Sequence, residues 1–331
     1  MPRPRTSVIH SIAVLSLFIS SVQPFLTRNN QHRATQSNSA IFASTKKAQE
    51  PKTAVLLCPA QFCVPVDYQS LLEALKNTNE KICCCKVAPL PRTKWIEVAK
   101  SLPSKAYLDG TLPVYSTLSW YFNAIETALY EIYAEQGPNV NVCLIGHSIG
   151  GWIARAYLGG LSRSSSSVYR LTQEKCSSLI TLGTPHSSPN SALVDQTRGL
   201  LKEVEASAAC TSQGLLNRGI QVTCVGSSAL EGTLFSTNVE ELVAASSYYP
   251  LTGKLGKGDG IVPTSLAFME SPARRVEVES CDVSGALVRH AHVLPTPWKL
   301  LDGSSPSIPL PKDFAWYGSE GVVTKWAQYI S

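Results

Sequence analysis

From Lys52 onward, short runs of β-branched and other apolar residues alternate with longer segments whose apolar positions recur every three or four residues. This alternation predicts a mostly parallel sheet with crossover helices. Thr53–Cys58 reads as a buried strand, Ile82–Ala88 as a second and Val140–Ile145 as a third. Between the first two, Asp67 is placed to cap a helix running through Leu75. Tyr115–Glu135 carries Leu118, Phe122, Ile125, Leu129 and Ile132 on one face, which predicts a helix of several turns. Further strands are expected at Ser178–Leu182, Gln221–Val225 and Arg275–Glu279, with a last strand-like run at Ala286–Arg289. Ser187–Leu215 has a helical pattern and no strand, so it reads either as a lid insertion or as an ordinary crossover. Ser162–Ser167 is a short serine-rich loop and no internal repeat is seen.

The third strand runs directly into Gly146-His147-Ser148-Ile149-Gly150, and Trp152–Leu158 behind it is compatible with a helix. A serine between two small residues at a tight strand-to-helix turn is held out from the backbone, and Ser148 is therefore the candidate nucleophile. A serine hydroxyl needs a base, and in this topology the acid and base come from later strands, in the order Ser, Asp or Glu, His. Asp259, in the glycine-flanked loop Gly256–Pro263, is the candidate acid; an aspartate-stabilised turn is the simpler alternative. The base is His290, which directly follows the last strand-like run, with His292 as the alternative. His147 and His186 precede Asp259 and fail the order test. The oxyanion donors are expected from the backbone of Ile149, after the nucleophile, and of Gln61, in the loop after the first strand.

Composition changes this picture mainly at the N-terminus. The net charge of +5 rests on residues 1–49, which contain Arg3, Arg5, Arg28, Arg33, Lys46 and Lys47 but no acid. With those six set aside, 23 basic residues face 24 acidic ones, so nothing suggests a nucleic-acid surface. Arg3 and Arg5 precede the apolar run Val8–Ile19, which suits a signal-peptide core and is too short for a membrane-spanning helix. The following Phe25–Ser44 is rich in Ser, Thr, Asn, Gln and Arg, as transit segments are. Residues 1–49 thus read as a disordered targeting presequence, resembling the bipartite plastid presequences of algae with complex plastids. A plastid is the expected destination and the secretory pathway the alternative. The ten cysteines fall at no zinc-site spacing, and buried free thiols are expected over disulfides, in a reducing compartment.

Residues 50–331 are expected to form one catalytic domain, with 187–215 as the candidate lid. Gly146–Gly151, Leu182-Gly-Thr-Pro-His186, Gly258-Asp-Gly-Ile-Val-Pro263 and Trp316-Tyr-Gly-Ser319 together resemble the lipase-like branch of the α/β hydrolases, including plastid-directed members from plants and algae. The resemblance implies the α/β-hydrolase fold, a mostly parallel sheet with helices on both faces, and ester hydrolysis on an acyl substrate. It also implies that His186 helps shape the pocket, to which His147 and Phe62 are added as neighbours of the nucleophile and the oxyanion loop. One departure is visible: many relatives have His-Gly where this chain has Pro59-Ala60, and Ala60 lacks glycine's conformational freedom. The expected activity is that of a serine lipase or carboxylesterase working through an acyl-enzyme, with no metal or organic cofactor. Acyl transfer or thioester cleavage by the same three residues, and a non-catalytic binding protein on the same fold, are the alternatives. Partners are expected to be small esters or acyl lipids; Leu294–Pro311, with Trp298, Leu300 and Leu301, reads either as a peripheral membrane contact or as packing against the body.

Overall fold

The computed structural model describes residues 52–162, 175–291 and 314–331, all within the compact unit Pro51–Ser331. The expected presequence, His292 and the Leu294–Pro311 loop lie outside the described residues. A six-stranded sheet runs β2-β1-β3-β4-β5-β8, formed by β1 (Thr53–Cys58), β2 (Ile82–Val87), β3 (Asn141–His147), β4 (Cys176–Leu182), β5 (Gln221–Ser227) and β8 (Arg274–Val278). Every neighbouring pair in it is parallel.

Such a sheet must be covered on both faces, and the alternation of strand side chains shows how. In β1, Ala54, Leu56 and Cys58 face one apolar cluster while Val55 and Leu57 face the other. β3 repeats the pattern, with Val142 and Leu144 on the first side and Cys143 and Ile145 on the second. The first face is covered by α2 (Val114–Gln136), α3 (Ile149–Leu158), α4 (Leu200–Ala206) and α5 (Ser212–Leu216). The second is covered by α1 (Gln69–Thr78) and α7 (Glu320–Trp326). Each fully buried leucine on these faces contributes about 1.5–3 kcal/mol relative to exposure.

Between β5 and β8 the chain makes an excursion containing α6 (Val239–Thr252) and a small antiparallel pair, β6 (Leu230–Glu231) with β7 (Lys257–Gly258). A second small pair joins β9 (Val288–Arg289) to β10 (Ala315–Trp316) in parallel. Only Val288 and Arg289 of the Ala286–Arg289 run are strand, and Leu287 makes an isolated antiparallel bridge to Ser280.

One expectation changes. Asp67 does not cap α1, which starts at Gln69 after Tyr68; its carboxylate instead accepts the Val64 N–H at 2.8 Å. Within 187–215, residues 200–215 contain the crossover helices between β4 and β5, and Leu200, Leu201, Val204, Cys210 and Leu215 are buried in the core. All ten cysteines are free thiols, and burial pushes those of Cys63 and Cys143 up to about 12. Among the described residues no helix is long and apolar enough to cross a membrane, and no cluster of metal-ligating side chains occurs.

Candidate active site

β1 and β3 are neighbours, yet β1 leads on to β2 at one edge while β3 leads on to β4 on the opposite side. Their C-terminal ends therefore open a crevice where the strand order reverses, the general ligand position in such sheets. Cys58 and Gly146 pair across that crevice, and each is followed by a loop expected to carry chemistry.

After β3 the chain turns sharply. Ser148 has φ 54° and ψ −126°, an L-residue in a sparsely populated region, and α3 starts at Ile149. Such a backbone costs about 1–3 kcal/mol and persists only where its surroundings enforce it. Here the Ser148 N–H donates to Leu182 O at 2.8 Å, and the Ser148 carbonyl accepts from Gly151 N–H at 3.0 Å and from Thr184 Oγ1 at 2.8 Å. A Cβ on Gly146 would stand 2.2 Å from Gly151 Cα, and one on Gly150 would stand 2.2 Å from Cys58 O. Small residues are thus required by contact distance.

Asp259 directly follows β7, and His290 directly follows β9. The structure brings both to Ser148. His290 Nε2 is 2.9 Å from Ser148 Oγ, and His290 Nδ1 is 2.8 Å from Asp259 Oδ2. The backbones are joined as well, His290 N–H donating to Asp259 O at 2.9 Å. Asp259 is 2% exposed, and its two oxygens receive different donors. Oδ1 accepts the N–H groups of Ile261 and Val262 at 3.0 and 2.7 Å, while Oδ2 accepts the Tyr317 hydroxyl at 2.8 Å as well as His290. Burial alone would raise its carboxyl, but His290 and the two backbone donors outweigh that and hold it below its ordinary value. Gly260, at φ 96°, lets the chain turn after Asp259, and its N–H donates to Tyr248 Oη at 2.7 Å.

The loop after β1 is fixed at four places. Tyr121 Oη donates to Pro59 O at 2.6 Å, Ala60 N–H donates to Tyr68 Oη at 2.8 Å, Arg92 Nε donates to Phe62 O at 3.0 Å and Val64 N–H donates to Asp67. Arg92 also pairs with Asp67 at 3.1 Å, both buried. The left-handed position of the loop is Phe62, at φ 62°, rather than Ala60. Position 60 therefore does not call for glycine's conformational freedom. Gln61 lies exposed in the middle of this turn, which Cys63 N–H closes onto Ala60 O at 3.1 Å. The Phe62 ring packs on Trp95, centroids 5.7 Å apart.

The three pocket candidates separate. Phe62 is half-buried in the loop beside the crevice. His147 is buried behind Ser148, its Nδ1 2.9 Å from Tyr68 Oη and its Nε2 2.8 Å from His290 O. His186 does not join the site. Its Nε2 bonds Thr181 Oγ1 at 3.0 Å between β4 and β5, and burial, with Arg155 nearby, pushes its pKa well down, so the ring is neutral. It belongs to the packing between strands.

Tyr68, Tyr317, Tyr248 and Arg92 were not expected at the site. Tyr317 lies in the Trp-Tyr-Gly-Ser segment, whose distinctiveness was the one available signal; a tyrosine or arginine beside an apolar helix otherwise reads as packing.

A family model described as the PGAP1-like alpha/beta domain matches residues 116–232, which include the nucleophile turn and end before Asp259. No curated protein sequence matches the chain. Among solved structures, an acetylxylan esterase is similar at 16% identity and TM-score 0.29, over 41% of this chain and 64% of that one. A cutinase-like protein from Cryptococcus sp. is similar at 13% identity and TM-score 0.30, over 85% and 93% respectively. A thioesterase of the prodiginine biosynthetic pathway in Streptomyces coelicolor is similar at 12% identity and TM-score 0.29, over 71% and 85%. The parallel sheet order, the strained serine at its switch point and the family match over residues 116–232 give this chain the α/β-hydrolase fold.

Proposed function

We propose that the chain is a serine hydrolase that cleaves carboxylic esters through an acyl-enzyme, with Ser148 as nucleophile, His290 as base and Asp259 as its orienting acid. The observation that carries this reading is the unbroken hydrogen-bonded line from Ser148 Oγ through His290 to Asp259, with the serine held in a strained turn at the switch point. The carboxylate accepts from Nδ1–H, which leaves the Nε2 lone pair facing the serine hydroxyl. As Ser148 Oγ bonds to the ester carbonyl carbon, its proton passes to His290 Nε2, and the carbonyl π pair moves onto oxygen. The N–H of Ile149, at the start of α3, and that of Gln61 hold that oxyanion. Collapse expels the alcohol, which takes the proton from His290; water then repeats the sequence and releases the acid.

An acyl-lipid substrate is favoured by the surface of α6, whose Tyr248 hydroxyl accepts the Gly260 N–H beside Asp259. α6 and the turns around it expose Leu234, Phe235, Val239, Leu242, Val243, Tyr249, Leu255 and Ile261, an apolar display larger than scattered surface residues require. This same display would support a peripheral contact with lipid. For residues 1–49 the proposed role is plastid targeting, tested by the destination of a fluorescent fusion; signal confined to the secretory route rejects it.

Wild-type protein should react with a fluorophosphonate probe and hydrolyse long-chain esters in emulsion, and Ser148→Ala should do neither. Probe labelling that persists in Ser148→Ala overturns the assignment. Release of acyl groups to an added alcohol in preference to water would instead favour acyl transfer.

A further inference from the structure

Behind the line of Ser148, His290 and Asp259 runs a second buried chain of hydrogen bonds, which the proposed chemistry does not use. It starts at the loop after β1, where the Ala60 N–H donates to Tyr68 Oη at 2.8 Å. From the same hydroxyl it continues to His147 Nδ1 at 2.9 Å, and from His147 Nε2 to the carbonyl oxygen of His290 at 2.8 Å. Every group in it is buried except His290, which is half-buried; Tyr68 is 0% exposed and His147 1%.

The chemistry of the groups sets the direction of every hydrogen. A carbonyl oxygen only accepts, so His147 carries its proton on Nε2 and, when neutral, has a lone pair on Nδ1. Tyr68 therefore donates its hydroxyl proton to Nδ1 and receives the Ala60 N–H on an oxygen lone pair. Trp316 closes around the pair, its ring 5.5 Å from His147 and 6.1 Å from Tyr68 between centroids, and the rings of His147 and His290 lie 5.2 Å apart. Both side chains are thus enclosed by packed rings as well as held by hydrogen bonds.

We infer that Tyr68 and His147 are positioning residues, forming a strut that fixes the oxyanion loop relative to the backbone of the base. The inference rests on the serine-hydrolase reading. In that reaction the Gln61 N–H and the His290 ring act on the same tetrahedral carbon, one on its oxyanion and the other on the attacking and leaving oxygens. They come from loops more than two hundred residues apart in sequence. The strut meets the first loop at Ala60, beside Gln61, and the second at the peptide of His290 itself. The peptide on the other side of the His290 Cα is held by the His290 N–H bond to Asp259 O. The His290 main chain is thus gripped from both ends.

Tyr68→Phe removes one oxygen atom and keeps the ring packing, so it separates positioning from folding. In a chain whose ester hydrolysis is lost in Ser148→Ala, this variant should lower kcat by about 10- to 100-fold with KM within about 2-fold, the penalty expected when transition-state donors drift. His147→Gln, whose amide N–H reaches the position of Nε2, should retain more kcat than His147→Leu. An unchanged kcat in Tyr68→Phe overturns the inference. Nitrogen-15 NMR of labelled histidine reads the strut independently of any activity, and so remains decisive if no ester is hydrolysed or if a variant does not fold. His147 in the wild type should be neutral with its proton on Nε2, and a ring protonated on Nδ1 at neutral pH overturns the inference. In folded Tyr68→Phe the ring signals of His290 should move, and signals that stay in place likewise reject it.

Discussion

Tyr317 and His290 share one carboxylate oxygen: both the tyrosine hydroxyl and the imidazole Nδ1 lie 2.8 Å from Asp259 Oδ2. The tyrosine also accepts the Ser227 N–H at 3.0 Å, which ties the acid to the end of β5. A hydrogen bond to a charged group contributes about 1.5–3 kcal/mol. Tyr317→Phe removes that bond, frees Oδ2 to rotate away from Nδ1–H, and leaves the Ser227 amide unpaired. The expected result is a fall in kcat/KM of about 10-fold or more, together with lower stability. Both are read from ester kinetics and urea denaturation of the same preparation. Full activity in this variant rejects a role for Tyr317 in holding the acid.

Asp259 makes a pH prediction whose sign is fixed. Its carboxyl lies below the ordinary 3.8 in the folded chain, so the charged form is favoured by folding. That contribution to stability is fully present above 3.8 and is lost as pH falls through the lower, folded value. Denaturation of wild type and Asp259→Asn across pH should therefore show a stability difference that is constant above about pH 5 and narrows in acid. A gap that widens as pH falls contradicts the assignment. In ester hydrolysis the same variant should lose about 10³–10⁴ in kcat, because the imidazole loses the group that orients it.

The reach of the sequence can be judged from particular residues. Thr53–Cys58 was read to the residue, because a strand buried on both faces is an unbroken apolar run. Ser148, Asp259 and His290 were legible because the chemistry demands residue types in a set order along this fold, and the structure brings the three together. Asp67 was misread because a helix cap and a buried partner for Arg92 look alike until position 92 is known to fold back on position 67. His186 was misread as pocket-lining because its position after β4 says where the backbone goes, whereas its ring turns back between the strands. Tyr68 and Tyr317 were invisible for a related reason. Their hydroxyls act across gaps of many residues, and nothing in local spacing distinguishes such a tyrosine from one that fills a core.

The Arg92–Asp67 pair makes a prediction about the loop after β1. Both side chains are buried, and Arg92 also holds Phe62 O, the carbonyl of the loop's left-handed residue. Breaking a buried pair by removing one partner leaves an uncompensated charge and costs about 3–5 kcal/mol. Arg92→Met should therefore be strongly destabilised in urea. Asp67→Asn combined with Arg92→Met should recover part of that loss, since no buried charge then remains. Equal or additive losses in the double variant count against a direct pairing.

Two glycines placed side by side in one experiment distinguish a backbone contact from mere sequence pattern. A Cβ on Gly150 would meet Cys58 O at 2.2 Å and Pro59 O at 2.6 Å, and both atoms are backbone at the exit of β1. Neither can swing aside as a side chain would, so relief requires α3 or the loop after β1 to move. Gly256, by contrast, has no atom within 4 Å of where its Cβ would lie and no left-handed φ. Gly150→Ala should lose about 3 kcal/mol or more and displace the Ser148 turn from the oxyanion loop. Gly256→Ala should be neutral or gain up to about 1 kcal/mol, because alanine restricts the unfolded chain. Thermal denaturation compares the two directly, and probe labelling at Ser148 reports the turn: slow in the first variant, unchanged in the second. A Gly150→Ala protein with wild-type stability and labelling would show that α3 and β1 do not approach as closely as the distances require.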